Sequence, residues 1–89
     1  MESIYEHVSP EIAAELQQTA KVIYETRENR RRVLQHAGAT DETAILDSIA
    51  SGTVTEHPAY ELYLAARILA DTCEAARTAL AARLKEVNR

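Results

Sequence analysis

The sequence predicts an all-α protein built on a long helical hairpin, and three observations lead to this fold class. Apolar residues recur at spacings of three and four along most of the chain, which is the period of an α-helix rather than of a strand. The 89 residues include only two glycines and two prolines, so few positions can break a helix. Those breakers divide the chain into two long segments and a short one.

The first long helix is predicted over about residues 10–37. Ser9 can cap its start, Pro10 suits the first helical position, and Gly38 is a natural stop. A helix of about 28 residues extends about 42 Å. Its apolar face is marked by Ile12, Leu16, Ala20, Ile23, Leu34 and Ala37.

A short helix is predicted over about residues 41–51 and a second long helix over about residues 57–88. The short helix opens with acidic residues, ends at Gly52 and has an apolar side formed by Ile45, Leu46 and Ile49. One face of the last helix carries Leu62, Ala66, Leu69, Cys73, Ala76, Leu80, Leu84 and Val87. A second row beside it, which includes Ala65, Ile68 and Thr72, widens the apolar face.

The two long helices are predicted to pair as an antiparallel hairpin in which Ala37 faces Ala59, with the short helix covering one end. Residues 9–89 would form one helical domain, preceded by an N-terminal tail of residues 1–8. The chain has no Phe or Trp and many alanines, which bury little apolar area. We therefore expect a homodimer in which two hairpins form a four-helix bundle. The alternative is a monomeric three-helix bundle.

Composition restricts the setting in which the protein works. A net charge of −4 argues against non-specific binding to nucleic acid or anionic lipid. One cysteine, Cys73, excludes an intramolecular disulfide, and its place on the apolar face is typical of a small buried residue. The N-terminal residues lack the pattern of a signal peptide, and no apolar run is long enough to span a membrane. We expect a cytoplasmic protein with no membrane contact.

A run of polar residues, ETRENRRR at positions 25–32, interrupts the apolar face of the first helix for about two turns. In one interpretation its arginines form a structural ion-pair layer with Glu61, Asp71 or Glu74 across the hairpin. In the other they bind a phosphate, a nucleic-acid backbone or an acidic protein surface. The residues of this arginine cluster are Arg27, Arg30, Arg31 and Arg32.

A second candidate contact surface lies near the start of the last helix. Tyr60, Leu64 and Arg67 lie off the main apolar face, and a Tyr–Leu pair beside an arginine has the composition of an interface anchor. The alternative is that these residues contact the short helix. The sequence does not decide between the two.

No motif indicates catalysis, a metal site or a cofactor. The chain lacks a glycine-rich phosphate loop and a Gly-x-Ser-x-Gly motif, and no Glu-x-x-His accompanies the His57–Glu61 pair. We therefore predict a non-catalytic protein–protein interaction module that binds a protein partner through a helical surface. One alternative is a nucleic-acid-associated regulator that uses the arginine cluster. The other is a small dimeric enzyme with an arginine-lined pocket.

Overall fold

Three helices make up the computed structural model, which describes residues 8–88. They are α1 (Pro10–Ala37), α2 (Glu42–Ala50) and α3 (Glu56–Val87). Each end lies within one residue of its prediction, and the all-α fold class is confirmed. The predicted N-terminal tail lies outside the described residues except for Val8.

Local chemistry explains where the helices begin and end. The Ser9 hydroxyl accepts a hydrogen bond from the Ile12 amide at 3.2 Å, and the Asp41 carboxylate accepts one from the Ala44 amide at 2.8 Å. Gly38 ends α1 in the left-handed conformation, with φ of 68°, which glycine adopts without steric cost. The Ser9 and Asp41 caps satisfy amide groups that a helix leaves without partners in its first turn.

Helices α1 and α3 run antiparallel along their whole length. The Cys73 thiol donates to the Ile23 carbonyl at 3.7 Å, and the Arg83 guanidinium donates to the Glu15 carboxylate at 2.7 Å. Both pairs agree with the predicted register, in which the end of α1 faces the start of α3. The molecule measures 55 × 22 × 18 Å, which reflects a hairpin only two helices wide.

Helix α2 covers one end of the hairpin and packs mainly against α3. Ile45, only 2% exposed, joins Leu34, Ala59 and Ala66 in one buried cluster. Val33, Ala37, Ala39, Ile49 and Tyr63 pack around this cluster and are partly buried. The short helix therefore completes a core at one end of the hairpin and leaves the rest of it two-layered.

The core of a single chain is small. The buried apolar residues within the described chain are Leu16, Leu34, Ile45, Ala59, Ala66 and Cys73. Half of these are alanine or cysteine, which bury little area and so contribute little to stability. The structure describes one copy, and the bundle of two copies stays a prediction.

The close approach of α1 and α3 at Ala66 gives a testable prediction. Ala66 is completely buried, so Ala66→Leu adds volume to a packed seam and should lower the free energy of unfolding by about 1–3 kcal/mol. The matched control is Ala75→Leu, because Ala75 is exposed on the same helix. Urea unfolding followed by circular dichroism measures both; equal stabilities would contradict the described packing.

Candidate protein-docking surfaces

One side of the hairpin presents a long apolar surface, which we call the open face. Helix α2 packs against α3 on the side of Tyr63, and helical spacing places the α3 residues of the open face on the other side of that helix. All its residues are half-buried, so each still contacts solvent. They are Thr19, Val22, Thr26, Ala65, Leu69, Ala76 and Leu80.

The polar groups of the open face are already satisfied. The Thr19 hydroxyl donates to the Glu15 carbonyl at 3.1 Å, and the Thr26 hydroxyl donates to the Val22 carbonyl at 2.7 Å. Covering these threonines would therefore not leave a donor without a partner. Charged side chains meet this face at its far end, where Arg83 pairs with Glu15 and Glu86. The centre of the open face is suited to a dry contact.

A second apolar surface, the outer row, consists of Tyr60, Leu64 and Ile68 on α3. The three residues are four apart and are 40%, 40% and 63% exposed. The sequence placed Ile68 in the row that widens the apolar face of the last helix, and in a single chain this residue is exposed. Helices α1 and α2 both pack against other sides of α3, so Ile68 points into solvent. Exposed large apolar residues in a row are typical of a contact surface.

Side chains along one side of the outer row hold one another in place. The Tyr60 ring stacks on the Tyr63 ring, with centroids 5.9 Å apart and planes at 25°. The Tyr63 hydroxyl accepts a hydrogen bond from Arg67 at 3.0 Å, and Arg67 lies 3.7 Å from Asp71. The hydrogen bond to Tyr63 and the charge of Asp71 raise the pKa of Arg67. This chain of contacts holds the predicted residues Tyr60 and Arg67 in place before any partner arrives.

Acidic side chains outnumber basic ones around the outer row. Glu56, Glu61 and Asp71 each lie three or four residues from a member of the row, with Arg67 on the same side. Three carboxylates against one guanidinium leave a net charge of −2 when His57 is neutral. Glu61 accepts a hydrogen bond from the His57 ring at 2.5 Å, and this bond lowers the pKa of the Glu61 carboxyl. The surroundings of the outer row are therefore negative at neutral pH.

The arginine cluster is organised around an ion pair between α1 and α2. Arg30 donates to both oxygens of Glu42, at 2.6 and 2.7 Å, and the Glu42 side chain is only 16% exposed. The hydrogen bond from Arg30 lowers the pKa of Glu42 and raises that of Arg30. The bidentate geometry is the strongest kind that arginine makes with a carboxylate.

The predicted carboxylate partners of the cluster were wrong. In the structural interpretation Glu61, Asp71 or Glu74 would reach across the hairpin, but Glu42 is the residue that pairs with Arg30. The turn at Gly38 folds the chain back so that the start of α2 lies over Arg30. A contact of this kind depends on how α2 docks, and the periodicity of α1 and α3 carries no information about it.

The other three arginines lie on the surface of α1. Arg31 pairs with Glu28 at 3.0 Å, and Arg32 donates to the Asn29 side chain at 3.4 Å. Arg27, by contrast, has no carboxylate within ion-pair distance among residues 8–88. The pKa of Glu28 is lowered chiefly by its hydrogen bond from Arg31. The cluster is thus partly neutralised by its own neighbours.

An open cleft of about 360 Å³ lies beside the arginine cluster, between α1 and the turn that follows it. Its walls are Arg27, Glu28, Arg30, Arg31, Leu34, Gln35, Ala39 and Thr40. The seven predicted contact residues therefore fall into two groups, the cluster on α1 and Tyr60, Leu64 and Arg67 on α3. The groups approach each other at Glu42, where the positive charge of Arg67 also favours the ionised carboxylate.

Two residues that shape these surfaces were missed from the sequence. Ile68 follows Leu64 by four positions, so extending the Tyr60–Leu64 row by one turn would have found it. Glu42 gave no such signal, because its role depends on the fold of the turn. Across residues 8–88 no three His, Cys, Asp or Glu side chains converge to hold a metal ion. Within the same range no helix combines the length and apolar character needed to cross a bilayer.

No protein-family model matches this chain, and no curated protein or solved structure matches it.

The Arg30–Glu42 pair gives a prediction about stability and pH. Glu42→Gln removes a charged, mostly covered hydrogen-bond acceptor, so we expect the free energy of unfolding at pH 7 to fall by about 1–3 kcal/mol. Because the folded-state pKa of Glu42 is lowered, the pair stabilises the fold above the ordinary value of 4.5 and loses this effect as pH falls below it. The difference in the free energy of unfolding between wild type and Glu42→Gln should therefore become smaller below pH 4.5.

The matched control for this prediction is Glu28→Gln. Glu28 pairs with Arg31 within α1, and because the Arg31 side chain is 56% exposed, solvent screens this pair more than the Arg30–Glu42 pair. At pH 7 we expect a smaller loss of stability in this control than in Glu42→Gln. Denaturant unfolding at pH 7 and pH 3.5 compares the two variants, and equal effects would show that the Arg30–Glu42 pair does not hold α2.

Proposed function

We propose that this protein is a non-catalytic protein–protein interaction module that acts as a homodimer in the cytoplasm. The open face is the single observation that carries the proposal. It is apolar, half-buried along its length, and free of unsatisfied polar groups at Thr19 and Thr26. A surface of this kind is suited to contact with another protein rather than with water. Tyr60, Leu64 and Arg67 supply the surface for a further partner.

The open face can form the centre of a contact with a second copy. The open face extends about 24 Å along α3, from Ala65 to Leu80, so two helices side by side, each about 10 Å across, offer a footprint of about 480 Å². A stable interface buries about 800 Å² on each partner. The open face therefore supplies the apolar centre of a dimer contact whose remaining area would come from the residues around it, and pairing two such faces builds a four-helix bundle.

The small core of a single chain also supports self-association. Its buried residues gather mainly under α2, and Leu16 and Cys73 are the buried ones in the remaining two-helix part. A two-layered hairpin with few large buried side chains gains little free energy against the entropy of ordering its chain. Covering Leu69, Leu80 and Val22 would add the apolar burial that the single copy lacks.

The geometry favours this proposal over the two alternatives. A nucleic-acid regulator needs free positive charge, but Arg30 and Arg31 are each paired with a glutamate. An enzyme needs converging reactive groups in an enclosed site, whereas the arginine-lined cleft is open, and two of its three guanidiniums, those of Arg30 and Arg31, are held by Glu42 and Glu28. The proposed cytoplasmic location is supported by Cys73, a single buried cysteine with no partner for a disulfide.

Self-association through the open face predicts different oligomeric states for two variants. Leu69→Lys places a charge at the centre of the open face and should give a monomer in sedimentation equilibrium at concentrations where wild type is a dimer. Leu64→Lys makes the same change on the outer row and should stay dimeric. A dimer that survives Leu69→Lys, or one lost only in Leu64→Lys, would contradict this assignment; circular dichroism confirms that both variants fold.

The nucleic-acid alternative is tested with a labelled DNA duplex and a labelled single-stranded RNA. At about 0.15 M salt we expect no binding up to about 10 µM protein, because two of the four cluster arginines are paired with glutamates and the chain has a net charge of −4. The matched variants are Arg32→Ala, in the cluster, and Arg77→Ala, outside it. Salt-dependent binding that Arg32→Ala weakens and Arg77→Ala spares would favour the regulator instead.

A further inference from the structure

We infer that the outer row of α3 binds a basic amphipathic helix, that is, a helical segment whose apolar stripe is flanked by Lys or Arg. This inference rests on the proposed function, because it names the partner of an interaction module. It assigns to Tyr60, Leu64 and Ile68 an occupant different from the one that covers the open face.

The shape of the row fits one helix. From Tyr60 to Ile68 the side chains span about 12 Å, or about two helical turns. A partner helix presents a matching stripe through residues spaced by three and four. Stacking on Tyr63 holds the Tyr60 ring, and Ile68 is stiff at its branched β-carbon. Little side-chain freedom is therefore lost when a partner covers the row.

Charge selects the kind of helix. Glu56, Glu61 and Asp71 surround the row, and the one nearby guanidinium, Arg67, is already engaged by Asp71 and the Tyr63 hydroxyl. Lysine or arginine beside the partner's stripe would meet the Glu56 carboxylate and the second oxygens of Glu61 and Asp71, whose first oxygens face His57 and Arg67. The net negative charge would attract such a helix over a Debye length of about 8–10 Å. An acidic helix, a nucleic acid or an anionic lipid surface would be repelled by the same carboxylates.

A second copy of this chain does not fit the outer row. Pairing two outer rows would bring together two surfaces that each have a net charge of −2. On α3, Leu64 and Leu69 are five residues apart, so they point about 140° away from each other at about 100° per residue. A dimer formed through the open face would leave the outer row accessible, and the two contacts are compatible.

The test uses two synthetic peptides and the full-length protein. Both are helix-forming peptides of about 18 residues with leucines on one face, and one has lysines where the other has glutamates beside that face. Fluorescence anisotropy measures their binding at about 0.05 and 0.3 M salt. We expect the lysine peptide to bind at least about tenfold more tightly than the glutamate peptide and to weaken several-fold at the higher salt.

Variants locate the contact. The double variant Leu64→Ser, Ile68→Ser should lower the affinity for the lysine peptide by at least about tenfold, because the apolar anchors are removed. Glu61→Gln with Asp71→Asn should weaken it about three- to fivefold and reduce its salt dependence. The matched control is Tyr24→Ser, which removes an equally exposed apolar side chain from α1 and should change nothing.

Three results would overturn the inference: no binding of the lysine peptide at about 0.2 mM, equal binding of both peptides, or binding that the outer-row variants leave unchanged. None of these affects the homodimer, which sedimentation of the protein alone decides. Loss of peptide binding in Leu69→Lys with retention in the outer-row variants would place the peptide on the open face and count against both assignments.

Discussion

The α3 side of the seam between α1 and α3 has small buried side chains, and this constraint determines most of what the molecule can do. Ala59, Ala66 and Cys73 let the two helices approach closely, so the hairpin is well defined in register. The same residues bury little area, so the hairpin gains little stability from its own seam. The register of the two helices is therefore well defined, but few large apolar side chains are buried between them. The remaining apolar residues lie on the surface, in the open face and the outer row.

Helix α2 adds buried apolar area at one end of the hairpin only. Ile45 fills the space above Leu34 and Ala59, and the Arg30–Glu42 pair fastens the start of α2 to α1. This use of Arg30 explains why the apolar face of α1 is interrupted by arginine and glutamate. The interruption lies where α2 begins, and a charged pair there both fixes the position of the short helix and removes positive charge that nucleic acid would need.

Periodicity and breakers predicted the helices, their ends and the antiparallel register, because helix boundaries depend on nearby residues such as Ser9 and Gly38. The same pattern could not show which apolar residues a single chain buries. Ile68 and Leu69 are neighbours in sequence on a wide apolar face, yet Ile68 is mostly exposed and Leu69 is half-buried. That difference depends on how many helices pack around α3. The partner of Arg30 was missed for a related reason, since a tertiary fold brings Glu42 to it.

The central claim is that the open face is covered by a second copy, and the dependence of the melting temperature on protein concentration tests it most directly. A folded state that exists as a dimer is stabilised by mass action, so its melting temperature should rise by about 3–4 °C for each tenfold increase in concentration. Calorimetry or circular dichroism over a hundredfold range, about 2 to 200 µM, makes the shift measurable. A single melting temperature across that range would show that one chain folds alone and would contradict the account.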